Sequence, residues 1–294
     1  MRDASPLRYP GGKWRLAGFV ERLISLNFTS PPAYIEPYAG GASLALSLLF
    51  TGNVSEVFIN DLDPAIYAFW HSILNNCDQF ITLLSRTPIT PSEWKRQKRI
   101  YAAGTSSGML SLGFATFFLN RTNHSGILNG GMIGGKKQMG EWKVDARFNR
   151  TDLVRRIRRI ATHKRRIHLY CHDAVKFLRM NLGRPQRLYY LDPPYYSAGR
   201  DLYMNAYHPG DHASVNASVM NLRYPWIVSY DDVPSIRRLY VSQRSRRVQL
   251  RHTARVAHEG EEVMFFSEGL RIPRCKCPAQ SLREKPILSI RLGK

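Results

Sequence analysis

The 294-residue chain is short of acid: 22 Asp and Glu stand against 43 Lys and Arg, a formal net charge of +21. Solubility needs far less imbalance, so the excess points to a polyanionic partner. Nucleic acid fits better than an anionic membrane, because the basic residues are not gathered on one amphipathic segment. Cysteine is scarce as well, with only Cys77, Cys171, Cys275 and Cys277. A disulfide framework is not expected in a chain of this size without a secretory signal. The pair Cys275 and Cys277 with Cys171-His172 makes a poor zinc set, so reduced thiols and no metal are the expectation. Apolar runs long enough to span a bilayer are lacking, and residues 1–6 have no apolar signal core. The expected setting is therefore cytoplasmic and nucleoid-associated, with no membrane partner. There is also no internal repeat and no long low-complexity linker. What remains is 44% hydrophobic sequence, enough for a substantial core and a smaller second unit.

The most informative stretch is Leu188-Tyr189-Tyr190-Leu191-Asp192-Pro193-Pro194-Tyr195-Tyr196. It predicts a short buried strand that stops at a carboxylate, because neither proline has an N–H to give a sheet ladder. Pro194 holds Pro193 extended, which fixes Asp192 relative to Tyr195 and leaves the Pro193 carbonyl unused by any ladder. A carboxylate, a carbonyl and an aromatic face together suit an exocyclic amine: two acceptors for its hydrogens and a platform for its ring. A plain strand-to-turn junction with an Asp cap explains the same residues.

Earlier in the chain, Tyr9-Pro10-Gly11-Gly12-Lys13 lets backbone approach an anion beside an ammonium. A glycine turn opening a helix over 14–26 accounts for it equally well. Ala33-Tyr34-Ile35-Glu36-Pro37-Tyr38-Ala39-Gly40-Gly41 reads as a strand and a glycine turn, followed by a helix. A second strand over 56–63 ends in acid, about 20 residues after the turn, where a carboxylate such as Asp61 is placed to accept from ribose hydroxyls. The pair favours an adenosine-bearing cofactor over a merely structural βαβ unit. A third strand over 167–173 ends at Asp173, before a helix expected over 174–181. That acid could bind a cofactor adenine or simply cap the helix.

Strand signals fade between about 72 and 150. A basic helix over 92–103 precedes Phe118-Leu119-Asn120-Arg121-Thr122-Asn123-His124-Ser125-Gly126, placed after an apolar helix end, and a glycine-rich loop with Lys136 and Lys137. This composition suits phosphate and base-edge contacts, or a solvated loop over an active site. Asp152 is expected to cap the arginine-rich helix that follows. His208 and His212, near the start of another helix, invite a general-base reading, although a structural role is commoner there. A buried strand over 226–232 with an acidic end and a terminal hairpin of 248–255 and 262–267 are expected next, and a short last strand is expected over 287–290.

Taken in order, the glycine turn, the acidic strand ends and Asp192-Pro193-Pro194-Tyr195 resemble the Dam-like (D12 class) DNA adenine-N6 methyltransferases over about residues 7–267. The resemblance implies an α/β fold: a Rossmann-like sheet binding S-adenosylmethionine, with helices on both faces, plus a smaller, mainly helical target-recognition region. The catalytic domain would be discontinuous, residues 1–75 and 151–294, with target recognition in 76–150. Tyr9, Lys13, Glu36, Pro37, Tyr38, Gly40, Asp61, Asp173 and Asp192 would contact the cofactor, and Asp192, Pro193, Pro194 and Tyr195 would carry catalysis. Tyr9 stands where the best-known members have tryptophan. Asn120, Arg121, Asn123, Ser125, Lys136 and Lys137 would meet double-stranded DNA. Asp211-His212, Ser229-Tyr230-Asp231 and Glu262-Val263-Met264 fit later landmarks of the family. No metal is implied, and a cognate restriction endonuclease is a partner some such enzymes have. Methylation of cytosine N4 or of an RNA adenine, and a catalytically silent DNA-binding module, are the competing readings.

Overall fold

A computed structural model describes residues 4–8, 13–196, 207–252 and 258–274. Tyr9, Cys275, Cys277 and the strand expected over 287–290 lie outside the described residues. Seven strands form one sheet: β1 (Ala33–Glu36), β2 (Glu56–Asn60), β3 (Ile167–Tyr170), β4 (Arg187–Leu191), β5 (Trp226–Asp231), β6 (Arg244–His252) and β7 (His258–Phe266). Their order is β3-β2-β1-β4-β5-β7-β6. The first five are parallel, and the hairpin β6–β7 enters antiparallel to β5. This is the Rossmann-like sheet that the resemblance implies. The chain reverses its winding between β1 and β4, and such a switch opens a crevice at the carboxyl ends of the strands. Both β1 and β4 end there, at Glu36 and just before Asp192.

The strands are apolar on both faces, as a sheet covered on each side requires. Tyr34, Leu188 and Tyr190 join the core on one face, with α1 (Ala17–Asn27), α2 (Ser43–Phe50) and α3 (Pro64–Asn75). Ile35, Tyr189 and Leu191 face the other, against α8 (Ala174–Leu178), α9 (Pro209–Met220) and α10 (Pro234–Leu239). The alternation along each strand is the two-residue period of β structure.

Between β2 and β3 the region expected to be helical contains α4 (Cys77–Arg86), α5 (Pro91–Ala103) and α6 (Met109–Thr122), before α7 (Arg150–Thr162). Its apolar residues share one continuous cluster with the first face of the sheet: Phe80, Phe114, Phe117, Phe118 and Phe148 join Phe69 of α3. The approach of α6 to α3 is close enough to require Gly113, since a Cβ there would stand 2.4 Å from the Ala68 carbonyl oxygen.

Several boundaries differ from expectation. The helix expected over 14–26 begins as a 3-10 turn, Lys13–Leu16, and becomes α-helical only at Ala17. Asp152 does not cap α7. Asn149 does, accepting from the Asp152 N–H, while the Asp152 carboxylate pairs with Arg155 and Arg156. Asn120 and Arg121 lie within α6 rather than after it. Helix α8 stops at Leu178, its end tightened by i→i+3 bonds from Arg179 and Met180.

Candidate active site

Strand β4 delivers Asp192 to the crevice. Its last ladder partners are Leu191 and Val228, so Asp192 and Pro193 lie past the hydrogen-bonded pairs. Ser229, on the neighbouring strand β5, donates to Asp192 Oδ1 at 2.7 Å. Tyr190 donates in turn to the Ser229 hydroxyl at 3.1 Å. The other carboxylate oxygen, Oδ2, is 3.0 Å from Lys13 Nζ. That ammonium is almost fully buried, and also reaches Glu262 Oε1 and the Tyr195 hydroxyl, both at 3.1 Å. Tyr195 donates its hydroxyl to Glu262 as well. A cation from the N-terminus, two acids from β4 and β7, and a tyrosine thus form one knot.

Burial works against the charge on Lys13, but the carboxylates of Asp192 and Glu262 outweigh it and hold its pKa well above the ordinary lysine value. Burial pushes the Glu262 carboxyl upward, opposed by the Lys13 ammonium. The sequence pattern assigns Tyr195 a stacking face only. In the structure its hydroxyl is also used, which ties that face to Lys13 and Glu262.

The glycine turn after β1 forms the opposite wall. Gly40 has φ +46, a left-handed conformation that glycine adopts without strain. Its N–H donates to Asp61 Oδ2 at 2.8 Å, and its carbonyl accepts from the Trp70 indole at 2.9 Å. Asp61 Oδ1 accepts from the Asp63 N–H at 3.0 Å. Burial raises the Asp61 carboxyl to about 6 despite those two bonds. Each oxygen thus has one such partner and retains a lone pair, the acceptor set a vicinal diol needs. The residues present therefore fit the ribose of an adenosine-bearing cofactor.

Glu36 has a different place. Its carboxylate accepts from Tyr34 and from the Ala45 N–H in the first turn of α2. Burial raises its pKa to about 8, so it is the protonated end of a strand-to-helix clamp near neutrality. Tyr38 meets Tyr207 hydroxyl to hydroxyl at 3.1 Å. The Pro37 carbonyl accepts from Asn60, a buried amide that sequence reasoning missed. Asn60 also bonds the N–H and carbonyl of His172, which locks the β1 turn to the loop carrying Asp173. An amide at a strand's last position, inside an otherwise apolar strand, was the available signal. Asp173 is exposed and caps α8 through the Lys176 N–H. His212 is buried against Tyr196, Tyr207 and Tyr230, with Nδ1 3.1 Å from the Tyr230 hydroxyl. Burial lowers its pKa, which is a packing role rather than that of an accessible base. His208 and Asp211 form a capping box at the start of α9.

Two of the expected DNA contacts need correction. Asn120 is buried and its amide is consumed: it accepts from the Arg8 N–H at 2.7 Å and donates to the carbonyls of Arg8 and Gly126. Asn123 is buried too, donating to the carbonyls of Ile127 and Leu128 and accepting from the Trp94 indole. Neither side chain is available to a base edge. Asn120 instead fastens the segment before Lys13 to α6, and the Asn123 amide ties the end of α6 to α5 and to the loop that follows. Arg121 donates to the Arg147 carbonyl at 2.8 Å, and Ser125 lines a cleft of 380 Å³ with Arg8, His124 and Trp142. Lys136 and Lys137 are exposed. Among the described residues, no group of three or more His, Cys, Asp or Glu side chains could hold a metal, and no helix is long and apolar enough to cross a membrane.

A family model described as D12 class N6 adenine-specific DNA methyltransferase matches residues 9–254. No curated protein matches the chain. Among solved structures, a Pyrococcus horikoshii protein provisionally called an RNA methyltransferase aligns at a TM-score of 0.44 and 9% identity, covering 89% of this chain and 88% of its own. The rRNA methyltransferase AviRa from Streptomyces viridochromogenes aligns at 0.41 and 13% identity, covering 88% and 85%. Likeness this low says nothing about substrate.

Proposed function

The chain belongs to the D12 class N6 adenine-specific DNA methyltransferases, and on that premise we propose that it methylates N6 of an adenine turned out of duplex DNA. It is a methyltransferase that uses S-adenosylmethionine. That cofactor, when bound, supplies an electrophilic methyl group.

One observation carries the reading: Asp192 is held at both oxygens, by Ser229 and by Lys13, just past the end of the β4 ladder. A carboxylate oriented that firmly accepts one hydrogen of the amine. The Pro193 carbonyl accepts the other. Together they turn the nitrogen lone pair toward the methyl donor, so alignment supplies most of the rate. Lys13 sets a positive charge between Asp192 and Glu262 and holds both in place. Tyr195 offers the base a ring face, worth about 1–3 kcal/mol per stacked base. Asp61 orients the ribose, and Glu36 fixes the turn against α2. Arg121, Ser125, Lys136 and Lys137 lie on the helical region and carry the contacts to the duplex.

The test is methylation-sensitive sequencing of DNA and RNA from cells expressing the chain. N6-methyladenine at one short DNA sequence supports the reading. N4-methylcytosine overturns the base, and label confined to RNA overturns the substrate.

A further inference from the structure

Arg187 opens β4 at the end of the strand opposite to Asp192. Its side chain is buried, with 6% of the residue exposed. Its hydrogen bonds go to neutral oxygens: the Arg184 carbonyl, Asn181 Oδ1 and the Tyr189 hydroxyl. The guanidinium carbon lies 4.2 Å from the centroid of the Tyr224 ring. Among the described residues no carboxylate pairs with it. Three of its five N–H groups are thereby used. A buried cation is ordinarily matched by an anion, because desolvating an unpaired charge is costly.

Beside it opens a pocket of 790 Å³ between α8 and α9. Arg179 and Arg223, both exposed, stand on its walls with Arg187. Ser218, Asn181 and Asn221 add neutral polar groups, and neither Asp nor Glu lines it. Three guanidinium groups around a concave, acid-free wall make a site of one sign, and planar guanidinium forks match phosphate oxygens. The cleft belongs to the amino end of the sheet, away from the crevice where the amine acceptors sit.

We propose that this pocket is a second ligand site, one that binds a phosphate ester through Arg179, Arg187 and Arg223. Arg187 is the preformed buried element, stacked on Tyr224, and the two exposed arginines close on the anion. The phosphate comes either from a free nucleotide or from the backbone of a DNA segment that reaches this end of the sheet. The proposal does not depend on which base is methylated.

The test uses the full chain and two readouts. Calorimetry compares thymidine 5′-phosphate, which has no exocyclic amine to occupy the catalytic site, with thymidine itself. Duplex DNA affinity is measured against salt in parallel. Arg179→Ala with Arg223→Ala leaves the buried core untouched. Arg187→Met fills the buried space with an unbranched stem but removes the charge and the guanidinium over Tyr224, and its melting temperature reports whether it folds. Phosphate-dependent binding of thymidine 5′-phosphate that weakens about tenfold or more in the double variant, with S-adenosylmethionine affinity unchanged, assigns the site to free nucleotides. A salt slope that falls by ~0.9 for each phosphate the variant no longer neutralises assigns it to the DNA backbone. Equal affinity for thymidine and its phosphate together with an unchanged salt slope would overturn the proposal.

Discussion

Lys13 Nζ sits 3.0 Å from Asp192 Oδ2, so the first motif of the chain is bonded directly to the carboxylate proposed to accept the amine. The two are far apart in sequence, and the same ammonium also holds Glu262 of the last strand pair. Lys13→Met should leave the buried Glu262 and the partly buried Asp192 without their cation. Breaking such a pair costs ~3–5 kcal/mol. Adding Glu262→Gln should recover much of that stability, because one of the two acids is then neutral, whereas methyl transfer should stay low. Denaturant midpoints and turnover of the single and double variants check this. Full stability in Lys13→Met would mean the knot is not held by charge.

Glu36 makes stability depend on pH. Its carboxyl is raised from an ordinary 4.5 to about 8 by burial. Between those values the folded chain holds a proton that the unfolded chain has released, so stability falls as pH rises through the interval. The stabilising contribution is fully present below the unfolded value and is lost as pH passes about 8. Glu36→Gln mimics the protonated acid and should flatten the slope. Melting temperatures of both forms from pH 5 to pH 9, about the window concerned, decide it.

Asp61 should tune cofactor binding in the same way. With its carboxyl at about 6, it is an ionised acceptor at neutral pH and loses that charge under mild acid. Affinity for S-adenosylmethionine should drop as pH falls through that value, and the drop should vanish in Asp61→Asn. Asp61→Ala should weaken binding by about an order of magnitude or more, since ribose donors are left unpaired. Calorimetry at neutral and acid pH measures both.

Phe117 tests the shared core. It is fully buried and stacks on Phe69 of α3 at 5.9 Å, linking the helical region to the sheet layer. Phe117→Ala should cost ~3–5 kcal/mol. Loss of the whole cooperative transition, rather than of the helical part alone, is expected by urea denaturation followed by circular dichroism.

Much of this arrangement was legible because it depends on local chemistry. Prolines after an apolar run place Asp192 at a strand end, and a glycine turn followed by Asp61 needs only the geometry of a βα unit. The Ser229, Lys13 and Glu262 contacts were less accessible. They join β5, the N-terminal turn and β7 to one carboxylate, and pattern within a single segment carries no such pairing. Asn120 and Asn123 misled for a related reason. An amide looks the same in sequence whether it faces a base or a backbone carbonyl, and only burial decides which. Asp152 was displaced by Asn149 for a purely local reason: both residue types cap helices well, and the one that precedes the first turn prevails.

The central claim is that Asp192 accepts a hydrogen of an adenine amine during transfer. Single-turnover transfer of labelled methyl to duplex DNA, with the product digested and its nucleosides separated, measures it most directly. The account predicts label in N6-methyladenine, and a loss of ~10²-fold or more in Asp192→Ala while cofactor affinity changes far less. Undiminished transfer by Asp192→Ala would contradict it.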